Sequence, residues 1–200
     1  MKILKSSCHD LHEVKGSKFL TYFEPLDINT NVRIRQEELR LNHPKCVHVV
    51  YASRVLNEFG QVVENQSDDG EPKGSSGAPA LNVLRGADII NCVCYVVRYF
   101  GGTLLGVGGL VRAYSLSVNL GINKAKEQNL LQDYIKKDRF KIVLNYNEIN
   151  KISYLLDNLN IEYDKIFEQM VTFILYLSDE DLTELTEKLK DERISIIKVD

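Results

Sequence analysis

The sequence predicts an α+β protein built from two domains, and three observations predict it. A chain of 200 residues with 44% hydrophobic and 26% charged side chains has the balance of a folded protein and exceeds the usual size of one small domain. Its last third carries a complete β-α-β-β-α-β succession, the ferredoxin-like order. Its first two thirds mix strand and helix signals around one long β-branched run. The domains are expected at residues 1–136 and 137–200, with the junction in the polar stretch LLQDYIKKD.

In chain order, KFLTYFEPL predicts a strand, VRIRQEELRLNHP a helix stopped by Pro44, and CVHVVYASRVL a second strand. EFGQVVEN reads as a third strand, reached by a turn at Asn57 to Gly60, and SSGAPALNVLRG as a short helix ending at Gly86. ADIINCVCYVVRYF has the composition of a buried strand. The following GLVRAYSLSVNLGINKAKEQ places Val111, Tyr114, Val118, Ile122 and Ala125 on one buried helical stripe. His9, His12 and His43 fall on expected loops or termini, with HDLH a solvated segment, and His48 falls in a strand.

In the second domain FKIVLNY is a strand. NEINKISYLLDNLN is a helix with Asn147 as its N-cap and Ile149, Ile152, Leu155, Leu156 and Leu159 at helical spacing. IEYDKIFE and MVTFILYLS are strands. DEDLTELTEKLKDER opens with acids and closes with Lys188, Lys190 and Arg193, as the helix dipole favours, and ISIIKV supplies the last strand.

The N-terminus lacks the apolar run of a signal peptide, and no stretch reaches the roughly 18–20 apolar residues that cross a bilayer. No membrane contact and a cytoplasmic location are therefore expected. Cys8, Cys46, Cys92 and Cys94 form no CxxC, so reduced, largely buried thiols are expected rather than a disulfide or a metal centre.

The net charge of −3 is unevenly spread. Residues 1–136 hold 16 Lys+Arg against 14 Asp+Glu, whereas residues 137–200 hold 9 against 14. Between Pro72 and Lys126 the basic residues are Lys73, Arg85, Arg98, Arg112, Lys124 and Lys126, and the only acid is Asp88. That segment is the candidate surface for a polyanion.

Two stretches carry candidate chemistry. RYFGGTLLGVGGLVRAYS leaves a buried strand through Gly101, Gly102, Gly106, Gly108 and Gly109 and enters a helix holding Arg112. Glycines permit close backbone approach and a helix start attracts anions, so phosphate binding is one reading and a tight packing turn the other. Neither the GxxxxGK[ST] nor the GxGxxG spacing is present, and no ATP, NAD or other cofactor is expected. The second stretch, DDGEPKGSSGAP, gathers Asp68, Asp69 and Glu71. Alternation puts Arg98 at the end of its strand beside the glycines, so Asp69 and Glu71 are expected to balance Arg98 or Arg112 rather than hold a metal. No nucleophile, base and orienting acid can be assembled, so no catalytic residue is assigned.

SDDGEPKGSSGAPAL followed by VVRYFGGTLLGVGGLVRAYS resembles the double signature of the IMPACT family, in its two-domain, YigZ-like bacterial form. CVHVVYASR is similar to that family's A-T-H-x-C-Y-A-Y element: His48 and Tyr51 match, while Cys46, Val50 and Ser53 replace its alanine, cysteine and second tyrosine. With Asp69, Glu71 and Pro72, His48 and Tyr51 form the motif set. The resemblance implies a first domain like the second domain of a small-subunit ribosomal protein and domain IV of elongation factor G. It implies a second domain like domain V of that factor. Proteins of this kind are regarded as regulators of translation or nucleic-acid binders; the eukaryotic relatives' action on an initiation-factor kinase is not carried over.

The expected function is a non-catalytic RNA- or ribosome-binding protein that regulates translation. Lys73, Arg85, Arg98 and Arg112 would meet phosphates with the backbone of Gly101, Gly102, Gly108 and Gly109, and Tyr99, Phe100 or Tyr114 would stack on bases. The alternatives are an enzyme acting on a phosphate ester or nucleotide with a metal at Asp68, Asp69 and Glu71, and a protein–protein adaptor using the acidic second domain.

Overall fold

The computed structural model describes residues 1–192 and 194–199. The fold is α+β, and its contacts divide the chain into two compact units, Met1–Tyr134 and Ile135–Asp200.

The first unit runs β1 (Lys2–Leu4), β2 (Cys8–Val14), β3 (Ser17–Pro25), α1 (Val32–Asn42), β4 (His48–Leu56), β5 (Val62–Ser67), α2 (Gly77–Gly86), β6 (Ile89–Ile90), β7 (Cys92–Tyr99), α3 (Gly106–Glu127) and β8 (Leu131–Asp133). Five antiparallel strands in the order β2-β3-β7-β4-β5 form its main sheet, and β6-β1-β8 form a small one. β7 is central because Cys92 to Arg98 suit burial on both faces, and all seven are buried. Phe19, Phe23, Val50 and Val96 point to the side covered by α2 and α3, where Tyr114 and Val118 pack on them. Val49, Tyr51, Val93 and Tyr95 point to the other side, under Leu39 of α1. Each large side chain so buried contributes about 1.5–3 kcal/mol.

Register positions the site. Arg98 on β7 stands opposite His48 on β4 and Phe19 on β3, so all three share the helix-covered face at one end of the sheet.

Several expectations need correction. HDLH is not a loop: it lies within β2, the edge strand paired to β3, although it is solvated as expected, with His9 and Leu11 exposed and Asp10 and His12 half-buried. The stretch from Ala87 to Phe100 is not one strand. It breaks at Asn91, which takes φ +50° while its carbonyl accepts from Leu26 N–H and its side chain from Leu56 N–H. In α3 the buried stripe is Leu110, Ala113, Tyr114, Ser117, Val118, Gly121, Ile122 and Ala125, and Val111 is half-buried.

The second unit runs β9 (Asp138–Leu144), α4 (Ile149–Asn158), β10 (Glu162–Phe167), β11 (Val171–Leu177), α5 (Asp179–Lys188) and β12 (Ile197–Lys198), with sheet order β10-β11-β9-β12. Phe140, Ile142, Leu144, Phe173 and Leu175 form its core with Ile152, Leu156 and Leu185. Asn147 does not cap α4. Asn145 and Glu148 form a capping box over a 3₁₀ turn, Tyr146–Glu148, that leads into the helix. Ser178 and Asp181 do the same for α5. Of the basic end expected for that helix, Lys188 lies in its last turn, Lys190 falls past it, and Arg193 lies outside the described residues.

Among the described residues no helix is long and apolar enough to cross a membrane. All four cysteines are free, and burial pushes the Cys92 thiol up to about 12.

We propose that the second unit folds independently, since it closes its own core and caps its own helices. A chain of residues 135–200 is expected to unfold cooperatively in urea with a native-like far-UV spectrum. Disorder of the isolated segment would overturn this.

Candidate anion-binding cleft

The loop joining β5 to α2 is a compact knot of hydrogen bonds rather than a row of free acids. Asp68 folds back on it: its carboxylate accepts from Gly74 N–H (2.7 Å), Ser76 N–H (3.2 Å), Ser76 Oγ–H (2.7 Å) and Gly77 N–H (2.8 Å). Gly77 is the first residue of α2, so Asp68 caps that helix from nine residues upstream. Burial alone would raise its pKa, but these donors outweigh burial and hold it below the usual carboxylate range.

Asp69 sits at φ +46°. Its carboxylate accepts from Arg40 Nη2 (2.6 and 2.8 Å) and from Val49 N–H (2.5 Å), and its carbonyl accepts from His48 Nδ1 (2.7 Å). The expected pairing of Asp69 with Arg98 or Arg112 is therefore replaced by one with Arg40, whose pKa the Asp69 hydrogen bond raises. Nothing in the spacing of RIRQEELR sets Arg40 apart from a solvated helix cation.

Glu71 is buried to 3% side-chain exposure and Arg98 to 6%. Arg98 Nη1 donates to Glu71 Oε1 (2.5 Å), and Tyr114 O–H donates to the same oxygen (2.8 Å). Burial, reinforced by the Glu71 charge, pushes the Tyr114 phenol well up, so it stays a donor. His48 Nε2 faces Glu71 Oε2 at 3.8 Å. The guanidinium of Arg98 lies near the rings of Phe19 (5.5 Å) and Phe100 (5.9 Å).

The glycine stretch serves packing and chain reversal at different positions. Gly101 rests on the β2–β3 turn: a Cβ there would stand 1.9 Å from the Gly16 carbonyl carbon. Gly102 takes φ +86° and Gly106 φ +68°, turning the chain into α3. Gly108 and Gly109 form the first turn of α3 with Gly106 and Val107. No side chain caps that turn and no acid occupies it, so its N–H groups and dipole face outward.

Some of these parts line one cleft of about 410 Å³, whose lining does not include Gly101, Gly102, Gly108 or Gly109. His48, Glu71 and Arg98 form its polar floor, Gly70 and Pro72 one wall, and Phe100, Leu104, Gly106 and Val107 the opposite wall. A second cleft of about 440 Å³ flanks the same helix start and is lined by His12, Lys15, Gly109 and Arg112.

Other candidates lie elsewhere. Tyr51 is in the core on the opposite face, beside Tyr95. Arg85 is not a free cation: it grips Glu64 through Nε and Nη2, and Arg54 bonds the same carboxylate. Lys73 is exposed, as is Arg112, whose Nε donates to the Gly108 carbonyl. Of the three expected stacking rings, Tyr114 is fully buried, Tyr99 is half-buried and bonded to His43, and Phe100 is 47% exposed. The metal alternative needs Asp68, Asp69 and Glu71 to converge on a gap, whereas each is bonded to separate protein donors. Among the described residues no cluster of His, Cys, Asp and Glu has metal-binding geometry.

The profile of the Impact N-terminal domain matches residues 15–122, more than half of the chain. The chain belongs to the IMPACT family. It is 32% identical over 183 residues to an IMPACT family member of Haemophilus influenzae, covering 88% of this chain and 86% of the relative. It is 31% identical over 186 residues to IMPACT family member YigZ of Escherichia coli, covering 90% and 87%. A crystal structure described as that of a hypothetical protein superposes with a TM-score of 0.76 at 26% identity, covering 100% of this chain and 97% of the other.

Proposed function

We propose that the protein binds RNA or the ribosome and regulates translation without catalysing a reaction. The observation that carries this reading is the division of labour around the start of α3. The acids that chemistry would need are bonded to Arg40, Arg98 and backbone donors, while Lys15, Lys73 and Arg112 remain exposed near an uncapped helix start. Exposed cations around N–H groups suit a phosphate backbone, and Phe100 offers a face to an unpaired base. Family membership supports the same reading through the kinship with translation regulators described above. With it go a first unit like domain IV of elongation factor G, a second like domain V, and a cytoplasmic location.

The test is binding of the full chain to single-stranded poly(U) RNA and co-sedimentation with ribosomes at low and moderate salt. Affinity is expected to fall steeply with salt. Arg112→Ala and Lys73→Ala are each expected to flatten the logarithmic slope by about 0.7 for single strands while leaving thermal stability unchanged. Arg85 is the wrong probe, because removing it also breaks its bidentate bond to Glu64 and leaves that carboxylate to Arg54 alone. No binding at low salt, or binding indifferent to both substitutions, would overturn the proposal.

A further inference from the structure

The 410 Å³ cleft has a character that phosphate contacts at an exposed surface do not account for. Four large apolar side chains around it are exposed: Val47 (43%), Phe100 (47%), Leu104 (83%) and Val107 (59%). Isolated exposed apolar residues need no explanation, but four around one concavity mark a place where something apolar is received. The polar groups are few and deep. Arg98 is 5% exposed overall, its Nη1 is bonded to Glu71, and its Nε is buried with no hydrogen-bond partner among the described residues. An apolar concavity of this size with a few convergent polar groups is the usual form of a small-ligand site.

Charge narrows the class of ligand. Glu71 already offsets Arg98, so the uncompensated positive potential in the cleft is that of the α3 start, about half an elementary charge. A monoanion matches it. A phosphate dianion would meet Glu71 with too little positive charge in return, and it has no apolar body for the wall formed by Phe100, Leu104 and Val107.

We propose that this cleft binds a small carboxylate carried on a branched aliphatic or aromatic body. The carboxylate takes the free N–H groups at Gly106 and Val107, the helix-start residues that line the cleft, beside Arg98. The body displaces water from the apolar wall. The cations assigned to RNA, Lys15, Lys73 and Arg112, do not line this cleft, whereas the α3 start and Phe100 are common to both readings, so Lys73→Ala and Arg112→Ala should weaken RNA binding and leave the carboxylate unaffected.

The experiment is a titration of the full chain with 3-phenylpropanoate, followed by amide chemical shifts, with 3-phenylpropanamide and inorganic phosphate as matched probes. Saturable shifts at Phe100, Leu104, Leu105, Gly106 and Val107 are expected for the carboxylate, with the neutral amide at least about tenfold weaker. Val107→Asp puts a negative charge in the first turn of α3, which the helix dipole favours, so thermal stability should hold or rise while carboxylate binding falls by about tenfold or more. Leu104→Ser, at a side chain 83% exposed, removes apolar contact without touching the core and should weaken phenylpropanoate and its amide alike while leaving thermal stability unchanged. The proposal is overturned by the absence of saturable shifts, by equal binding of carboxylate and amide, by phosphate binding as tightly as phenylpropanoate, or by Val107→Asp binding unchanged.

Discussion

Glu71→Ala is expected to destabilise the first unit by about 3–5 kcal/mol, the usual cost of removing one partner from a buried ion pair. The reason is the position of the charge left behind. Arg98 sits on the central strand at 6% side-chain exposure, and the carboxylate that balances it also accepts from Tyr114. Alanine would therefore leave a buried cation uncompensated and strand a buried hydroxyl. Glu71→Gln keeps an acceptor for both donors and should cost less. The pair Glu71→Leu with Arg98→Met removes both charges together and should recover much of the loss, because neither is then buried alone. Equilibrium urea unfolding of the three variants beside the parent chain reads these differences directly. A loss below about 1 kcal/mol for Glu71→Ala would mean that water reaches the pair, and the buried-contact account would fall.

Gly101→Ala and Gly108→Ala, seven residues apart on the same glycine stretch, are expected to act in opposite directions. At Gly101 the new Cβ would lie 1.9 Å from Gly16 C, 2.1 Å from Ser17 N and 2.3 Å from Gly16 O. These are backbone atoms of a tight turn in which Gly16 itself takes φ +79°, so no side-chain rotation relieves the clash. Parting two backbone segments should cost about 3 kcal/mol, at the upper end for overpacking. At Gly108 nothing lies within 4 Å of the added methyl, and the residue is helical, so alanine should stabilise by about 0.5 kcal/mol. Thermal denaturation of the two variants distinguishes them. A Gly101→Ala chain as stable as the parent would show that the turn yields freely.

The contrast shows which features a linear reading can reach. Gly101 and Gly108 look alike in the sequence, and only the β2–β3 turn brought against one of them tells them apart. The strand β7 was legible because it is buried on both faces and so uninterrupted in composition. β2 was not, because an edge strand with Cys8 as its one buried residue leaves no clear alternation in CHDLHEV. The helices of the second unit were legible from their apolar spacing, while the cap of α4 was displaced by a 3₁₀ turn that spacing does not reveal. In the cleft, Arg98 and Glu71 could be paired in advance, since a cation ending a buried strand needs an acid nearby. Arg40 could not, because its only distinction is the loop that reaches it. Tyr114 was placed on the buried stripe correctly, but its hydroxyl's partner depended on how deep Glu71 lies.

The hydrogen bonds of the β5–α2 loop also bear on the order in which the chain assembles. The loop reaches Arg40 across 29 residues, Val49 across 20, Arg98 across 27 and Tyr114 across 43. It can close on them only after α1, β4, β7 and α3 have come together, so these contacts are expected to form on the late side of the folding barrier. Energy stored there does little to hasten formation of the native state and acts instead as a latch on its escape. In Glu71→Ala the damage should accordingly appear in the unfolding limb of the kinetics, as a shortened lifetime of the folded chain, with the rate of folding nearly untouched.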